Sequence, residues 1–306
     1  NYYMQNTPLG YDKDEIIITN MNNNIRKSRD AFASQVKSFS GIEEVTYAEM
    51  LLSSQDQYMG WGRKYRDKDI QFQCLPVEPS FLKVMNVKIS EGRDFREEDK
   101  AKRYGTFVFN ERARTEYGLE IGSLIDSMEI VGFMPDVKFA SFRTEVTPMA
   151  FFVWGTNNWG NQPNYAYIKV KAGSDLRGAM QHVKTTLQSF DPEYPFNVRF
   201  FDEVFNGLYE KERSLSSLIT LFSLIAIFIS VVGVFGLVVF DSEYRKKEIG
   251  IRKVLGSTTE EIIVMFNKTY IRILCVCFVL GAPIAGYVVH RWLENFAYKT
   301  PMYWWV

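Results

Sequence analysis

The sequence predicts an α+β extracytoplasmic domain, made of two strand-helix-strand units with an inserted second subdomain, followed by all-α transmembrane helices. The first part, residues 1–213, mixes alternating and helical apolar patterns with charged residues throughout. The second part begins with residues 214–240, which contain no charged residue. A further apolar run, at residues 273–289, follows a cationic loop. Two such runs after a mixed domain are typical of a membrane protein with a large domain outside the bilayer.

The first apolar run is long enough to cross a bilayer. Its about 26 residues after Ser214 span roughly 39 Å as a helix, more than the hydrocarbon core of about 30 Å. A buried core helix is the less favoured alternative, since core helices are rarely so long and so uniformly apolar. The second run has about 17 residues, the lower limit for a span, and snorkelling of Arg272 and Arg291 can extend it. We expect a second span at residues 270–292; a buried or re-entrant helix is the alternative.

The loop between the two runs sets the expected orientation. Residues 241–272 carry seven cations: Arg245, Lys246, Lys247, Arg252, Lys253, Lys268 and Arg272. The outer flanks carry fewer cations, and those before the first span lie among acidic residues. The positive-inside rule places a loop at residues 241–269 in the cytoplasm. Residues 1–213 and 293–306 are then expected outside.

The outer domain shows the same order of elements near its two ends. Each unit reads as a strand, a helix and a strand: residues 15–19, 25–39 and 45–48, then residues 165–171, 176–190 and 196–201. The apolar residues of the last helix are spaced 4, 3, 4 and 3 apart, which indicates an amphipathic helix. We interpret this as a pseudo-repeat that builds one split α/β subdomain; two unrelated units are the alternative.

Residues 50–160 read as the inserted second subdomain. They carry short strand patterns at residues 71–77, 106–109, 129–133 and 149–154. Residues 60–62 and 157–161, rich in glycine and asparagine, are predicted to be surface loops. Trp61, Trp154 and Trp159 look exposed and could grip a ligand, although a structural role is at least as well supported.

A helix capped by Asp202 is predicted to run without a break to Phe240. Its about 38 residues would extend roughly 57 Å, from the outer domain into the membrane. Such a rigid stalk would transmit force between the two sides.

Composition and motifs point away from catalysis and nucleic-acid binding. Lys plus Arg and Asp plus Glu both number 36, so the formal net charge is zero and a basic excess is missing. The sequence contains no P-loop and no dinucleotide-binding, zinc-protease or C-x-x-C motif. Three cysteines and two histidines offer little material for a metal site or a catalytic triad. Glu97, Glu98 and Asp99, flanked by cations, are predicted to form a solvated loop rather than an acid/base pair. We therefore expect no catalytic, cofactor-binding or metal-binding residue.

The most informative stretch is the loop at residues 245–256. Ile249, Ile251, Val254 and Leu255 are apolar residues among charges, which suits a short helix in the membrane interface. Gly256 is expected to end it, and Ser257 or Thr258 to cap the next helix. Such a helix can dock into a groove of a cytoplasmic partner, whereas an ordinary positive-inside loop is the alternative.

This stretch resembles the cytoplasmic element of FtsX-like permeases, the MacB-type (type VII) ABC transporter subunits. The family element reads approximately R-x-x-E-I-G-I-R-x-x-x-G-A. The sequence matches it at Arg245, Glu248, Ile249, Gly250, Ile251, Arg252 and Gly256. It departs at Ser257, where the family usually has Ala. Weaker similarities lie in the outer domain, at residues 92–95, 110–111 and 131–132.

The resemblance implies a permease with four spans per unit and its large domain between the first and second. This sequence would then be a fragment that holds that domain and the second and third spans, with residues 293–306 leading to a missing span. Family members work as dimers of permeases in the bacterial inner membrane and pair with a separate or fused ABC ATPase, which binds the ATP. Closure of the ATPase dimer moves the outer domains, which is termed mechanotransmission, and acts on an extracytoplasmic substrate or partner protein.

On this resemblance, the residues expected to contact the ATPase are those of the loop element: Arg245, Glu248, Ile249, Gly250, Ile251, Arg252, Lys253 and Gly256. The chain itself is expected to be a non-catalytic permease subunit for export or extraction. A membrane-anchored sensor, and a two-span anchored binding protein without ATPase coupling, are the alternatives. An ATPase with a P-loop, encoded beside or fused to this chain, would distinguish them.

Overall fold

The computed structural model describes residues 15–53, 59–137, 146–157, 163–207 and 210–293. Contacts divide the chain into two compact units at residues 209 and 210. The strands are β1 (Ile16–Asn20), β2 (Ile42–Ala48), β3 (Met59–Tyr65), β4 (Lys68–Pro76), β5 (Glu91–Gly92), β6 (Thr106–Asn110), β7 (Leu124–Ile125), β8 (Met128–Met134), β9 (Met149–Val153), β10 (Tyr165–Val170) and β11 (Arg199–Phe200). The helices are α1 (Asn23–Lys27), α2 (Arg29–Lys37), α3 (Phe81–Val84), α4 (Glu111–Tyr117), α5 (Leu176–Phe190), α6 (Phe201–Gly207), α7 (Glu210–Tyr244), α8 (Lys246–Val254) and α9 (Thr259–Leu293).

The two predicted strand-helix-strand units share one sheet, which confirms the predicted fold class. Its strand order is β11-β1-β10-β2, and all neighbours pair antiparallel. β1 and β2 therefore run parallel to each other with β10 between them, the arrangement of a split β-α-β fold. Helices α2 and α5 cover one face, where Phe32, Val36, Val183 and Leu187 are fully buried against the sheet. The predicted helix at residues 25–39 is two helices, because Ser28 adopts a non-helical conformation between them.

The topology of this sheet places its connections at two opposite ends. β1 and β11 are antiparallel, and Ile17 pairs with Phe200, so the chain enters and leaves the sheet at the same end. At the other end, Ala48 closes β2 and pairs with Tyr165, the first residue of β10. Everything between these two residues is inserted at that far end. The insertion is the predicted second subdomain.

The inserted subdomain is a second sheet around an aromatic core. Its strand order is β3-β4-β9-β6-β8-β5, with β7 paired to β8. Phe72, Phe107 and Phe152 are buried in one cluster, with ring centroids of Phe72 and Phe107 5.8 Å apart. Trp61 and Trp154 pack against Phe152 at 4.9 Å and 4.7 Å. These two tryptophans are therefore structural, whereas Trp159 lies outside the described residues.

The predicted loop at residues 60–62 is wrong, because these residues form part of β3. Gly60 and Gly62 face outward, where an added Cβ would meet no atom within 4 Å, and Trp61 faces the aromatic core. The glycines therefore mark an exposed strand face rather than a turn. Of the loop predicted at residues 157–161, only Asn157 lies within the described residues.

Residues 92–99 form a polar anchor in the inserted subdomain. Gly92 faces Gly132 on β8, and a Cβ at Gly92 would clash with the carbonyl of Val131, so the close approach requires glycine. The adjacent Arg93 donates to both carboxylate oxygens of Asp99, each at 2.8 Å. Asp99 is only 1% exposed and sits in a 3-10 helix, Glu97–Ala101. The predicted solvated loop is thus wrong for Asp99, although Glu97 and Glu98 are exposed.

A second polar anchor is Asn110, at the end of β6. Its side-chain oxygen accepts from the amides of Ala113 at 3.1 Å and Met149 at 2.9 Å, and its amide donates to the carbonyl of Thr147. One side chain therefore caps α4 and holds the start of β9.

The second unit contains two helices long and apolar enough to cross a membrane. The candidate spans are Ser217–Tyr244, of mean hydropathy 2.8, and Thr259–Arg291, of mean hydropathy 2.1. The second helix begins eleven residues before the predicted boundary at residue 270 and carries Pro283 in its interior. The predicted stalk is helical at α6 and α7, but residues 208–209 lie outside the described residues, so its continuity stays a prediction. Residues 294–306 also lie outside them.

We predict that Asp99→Asn destabilises the chain by roughly 3 kcal/mol, because it leaves Arg93 without its buried partner. Burial alone would raise the pKa of Asp99, but hydrogen bonds from Arg93 and the Arg96 amide lower it overall. The stabilisation is therefore complete above the ordinary pKa of about 3.9 and is lost as the pH falls through the lowered value.

Thermal unfolding of the full chain measures both effects. The exposed neighbour provides the control, since Glu98→Gln should change the unfolding free energy by less than about 0.5 kcal/mol. Equal losses for the two variants would contradict the role of Asp99.

Candidate functional site

All eight residues of the predicted coupling element lie on or beside one short helix. Helix α8 covers Lys246–Val254, with Arg245 as its N-cap residue and Gly256 just beyond its C-cap, Leu255. Glu248 lies in its first turn, and Arg252 and Lys253 in its last, which suits the helix dipole. The structure thus gathers the predicted residues, whereas their contact with a partner stays a prediction.

The C-terminal end of α8 is closed by a Schellman motif. The amide of Ser257 donates to the carbonyl of Arg252 at 3.0 Å, and the amide of Gly256 donates to that of Lys253 at 3.3 Å. Gly256 has a φ of +93°, a left-handed conformation that favours glycine. The helix therefore ends at a defined point.

The next helix starts two residues later with a capping box. The amide of Glu261 donates to the hydroxyl of Thr258 at 3.3 Å, and the amide of Thr258 donates to the carboxylate of Glu261 at 3.0 Å. This reciprocal pair fixes the N-terminus of α9. It explains why that helix begins at Thr259, well before its apolar part.

The charged side chains around α8 pair along the helix axis. Arg252 donates to one oxygen of Glu248 through two nitrogens, at 3.0 Å and 3.2 Å, and Arg245 pairs with Asp241 at 3.1 Å. These pairs are solvent-exposed, so each contributes at most about 0.5 kcal/mol. Within the described part of the chain, Lys247 and Lys253 form no ion pair and present free positive charge.

The apolar residues of α8 are mostly exposed. Ile251, Val254 and Leu255 are 63%, 88% and 79% exposed, whereas Ile249 is half-buried. Val254 and Leu255 were not among the predicted site residues. Their spacing of three and four from Ile251 is the signal that could have found them, since it puts all three on one helix face.

Gly250 leaves an opening on the same helix. An added Cβ at this position would meet no atom within 4 Å. A side chain here would therefore point into open space, and the bare backbone is accessible to another surface.

Other reactive side chains have structural surroundings. Cys74 is fully buried, and burial raises the pKa of its thiol, which keeps it protonated and unreactive. His182 bonds the carbonyl of Gln35 at 3.0 Å and stacks on Phe39, so it ties α5 to α2. No group of three or more His, Cys, Asp or Glu side chains could hold a metal within the described residues.

Family models match both parts of the chain. The model of the MacB-like periplasmic core domain matches residues 6–186, more than half of the chain. The model of the FtsX-like permease C-terminal part matches residues 220–305. The fold and the two long apolar helices define a membrane protein with an extracytoplasmic domain. The chain belongs to the FtsX-like ABC transporter permeases that carry a MacB-like periplasmic core domain.

Relatives with names include two macrolide export ATP-binding/permease proteins MacB. That of Chromobacterium violaceum is 23% identical over 230 residues, and that of Escherichia coli strain K12 is 22% identical over 233 residues. Each match covers 72% of this chain and 35% of the relative. This chain therefore spans about a third of the length of the curated relatives it matches.

Two solved structures are similar to the outer domain. The periplasmic region of MacB from Actinobacillus actinomycetemcomitans aligns with a TM-score of 0.46 and 13% identity, over 66% of this chain and 95% of that one. The extracellular domain of the noncanonic ABC-type transporter YknZ from Gram-positive bacteria aligns with a TM-score of 0.43 and 11% identity, over 60% and 99%.

We predict opposite effects for the same substitution at the two glycines of the coupling element. Gly250→Ala should stabilise α8 by up to about 1 kcal/mol, because alanine loses less backbone entropy in a helix interior. Gly256→Ala should destabilise the end of α8 by about 1 kcal/mol, because the Cβ is strained at positive φ. Amide hydrogen exchange of residues 246–257 measures both changes, and a shift in the same direction for both would contradict the assigned geometry.

Proposed function

We propose that the chain is the permease subunit of an ABC transporter that receives movement from a cytoplasmic ATPase at α8 and transmits it to the extracytoplasmic domain. The ATPase subunit binds and hydrolyses the ATP, and the chain itself is non-catalytic. A second permease copy completes the dimer in the bacterial inner membrane. The observation that carries this proposal is the short helix α8, closed at its end and flanked by two long apolar helices, with an exposed face of mixed apolar and charged residues.

The face of α8 is suited to a protein groove. Ile251, Val254 and Leu255 offer apolar anchors, and such anchors can contribute 2 kcal/mol or more at a well-packed interface centre. Lys253 and the Glu248–Arg252 pair offer charges at its rim that can steer an acidic partner. Gly250 permits close approach of the partner's backbone. Under this proposal these residues, with Arg245, Ile249 and Gly256, form the contact with the ATPase.

The topology of the outer domain supports transmission. The chain enters and leaves the first sheet at one end, and the inserted subdomain is connected at the opposite end. Under this proposal, a movement that arrives through α6 enters the sheet at the first end and is passed on to the inserted subdomain. Export, or extraction of a substrate from the membrane, would use this movement.

We predict that Gly250→Trp abolishes co-purification with the ATPase encoded beside or fused to this chain. The space next to the Cβ position of Gly250 is open, and the indole would occupy the surface that a partner is proposed to contact. Pull-down of the ATPase from detergent-solubilised membranes measures the loss. Ile251→Asp should weaken the complex at least tenfold as well, since it places a charge in the apolar face.

The matched control is Gly250→Ala, whose single methyl group should weaken the complex far less than the indole does. Circular dichroism should show that all three variants keep the helical content of the unaltered chain. If the Gly250→Trp chain binds the ATPase with unchanged affinity, α8 does not form the contact and its positive charges only set the membrane topology. That result would favour a sensor without ATPase coupling.

Orientation gives a separate prediction. With Cys74, Cys275 and Cys277 replaced by serine, Lys64→Cys in the outer domain should react with a membrane-impermeant maleimide on intact cells, because Lys64 is exposed. Lys253→Cys on α8 should react only after the membrane is permeabilised. Labelling of residue 253 in intact cells would invert the proposed topology.

A further inference from the structure

Tyr167 lies between three separate parts of the outer domain. It is on β10, one of the two inner strands of the first sheet, and is 0% exposed. Its neighbours Ala166 and Ile168 face the helix-covered side of the sheet and belong to the core there. Because side chains alternate along a strand, the ring of Tyr167 lies on the opposite face.

The ring of Tyr167 packs between the inserted subdomain and the helix that leaves the outer domain. Its centroid is 5.0 Å from that of Phe81, at the start of α3, in an edge-to-face arrangement. It is 6.1 Å from that of Phe201, the first residue of α6. Phe81 in turn lies 5.6 Å from Phe151 on β9, so the contacts continue into the second sheet.

The hydroxyl of Tyr167 holds the connection between the two subdomains. It accepts a hydrogen bond from the amide of Leu52 at 2.7 Å and donates one to the carbonyl of Met50 at 3.3 Å. These residues follow β2 and lead into the inserted subdomain. Leu52 is fully buried and Ser53 has a φ of +63°. The hydroxyl thus holds the first residues of the connection, residues 50–52, in place.

We propose that Tyr167 is a positioning residue through which displacement of α6 reaches the inserted subdomain. This inference rests on the proposed function. A buried, close-packed ring cannot be displaced without its neighbours, so a shift of Phe201 must move Tyr167 and, with it, Phe81 and residues 50–52. Within this chain, Tyr167 thus links α6 with the inserted subdomain.

An ion-pair network near the same junction is a weaker route. Glu78 accepts from Arg29 at 2.7 Å and from Lys100 at 2.9 Å, which links the two subdomains across a cavity of about 170 Å³. The side chains of Arg29 and Lys100 are 36% and 43% exposed. Exposed pairs of long side chains are flexible and weakly stabilising, so they transmit displacement poorly. The buried aromatic contacts of Tyr167 are more rigid.

The first test uses the full chain in lipid nanodiscs without any ATPase. Phe201→Leu perturbs the base of the stalk, and amide hydrogen exchange is measured at Leu52 and at Met85, whose amide bonds the carbonyl of Phe81 at 2.9 Å. We expect Phe201→Leu, as the single substitution, to raise both exchange rates at least fivefold. In a Tyr167→Leu background it should raise the Met85 rate less than twofold.

The matched control is Tyr47→Leu. Tyr47 is also a buried tyrosine of this sheet, and its hydroxyl donates to the carbonyl of Arg29 at 3.0 Å, but it belongs to the helix-covered core. The effect of Phe201→Leu should persist at fivefold in this background. A residue with a merely structural role would give additive effects in both backgrounds, and that result would overturn the inference.

A second variant tests the hydroxyl of Tyr167 in a chain whose packing is less disturbed than in Tyr167→Leu. Tyr167→Phe keeps the ring and removes only the hydroxyl, so it should raise the Leu52 exchange rate at least tenfold while the response of Met85 to Phe201→Leu stays intact. An unchanged exchange rate at Leu52 would show that the hydroxyl does not hold the connection, and would overturn that part of the inference.

A third measurement separates this inference from the proposed function. In the complex with the ATPase, a non-hydrolysable ATP analogue should change exchange at α6, Leu52 and Met85 in the unaltered chain. In the Tyr167→Leu chain the change should remain at α6 and disappear at Met85. If exchange at α6 does not change in either chain, the proposed ATPase coupling is contradicted, but the result of the first test, made without any ATPase, still holds. If exchange at Met85 changes in both chains, the role of Tyr167 is contradicted.

Discussion

The outer domain depends on the antiparallel pairing of β1 with β10. Five residue pairs, from Ile16 with Lys169 to Asn20 with Tyr165, join the two ends of the domain's sequence in the middle of one sheet. The cost of closing so long a loop grows only slowly with its length. The pair can therefore enclose a complete second subdomain, and β11 and β2 flank it on either side in the same sheet.

Several features follow from that one pairing. The direction of β10 places the insertion at the end of the sheet opposite to the end where the chain enters β1 and leaves β11. With Ala166 and Ile168 in the helix-covered core, Tyr167 lies on the other face of the sheet. That face is closed by α3 from the inserted subdomain and by α6. The polar anchors at Asp99 and Asn110 give the inserted subdomain its own internal order.

The sequence predicted the elements whose apolar pattern is regular. The bounds of α5, Leu176–Phe190, agree with the prediction because its apolar residues repeat at 4, 3, 4 and 3 and Asp175 caps it. β3 was missed because two of its three exposed positions, Gly60 and Gly62, are glycines, which also mark turns. The burial of Asp99 was missed because its partner, Arg93, reaches it only through a turn that residue types alone do not specify.

The candidate site divides in the same way. The eight predicted coupling residues came from the resemblance to the family element, and the structure places them on or beside α8. The caps at Gly256 and Thr258 followed from residue types with known turn preferences. Ile249, Ile251, Val254 and Leu255 were recognised from the sequence as apolar residues of a short helix, but their degree of exposure was not, since exposure depends on which neighbours a helix has. The structure shows Val254 and Leu255 almost fully exposed.

Helix α8 would be marginal by itself. Nine residues are too few for a stable isolated helix, because nucleation consumes most of the free energy that its hydrogen bonds supply. Its surface ion pairs add little. The Schellman motif at Gly256 and the capping box at Thr258 and Glu261 supply hydrogen bonds at the turn that joins α8 to α9. That turn is therefore hydrogen-bonded on both sides, and the transmission of movement from α8 to α9 that we propose would require such a fixed connection.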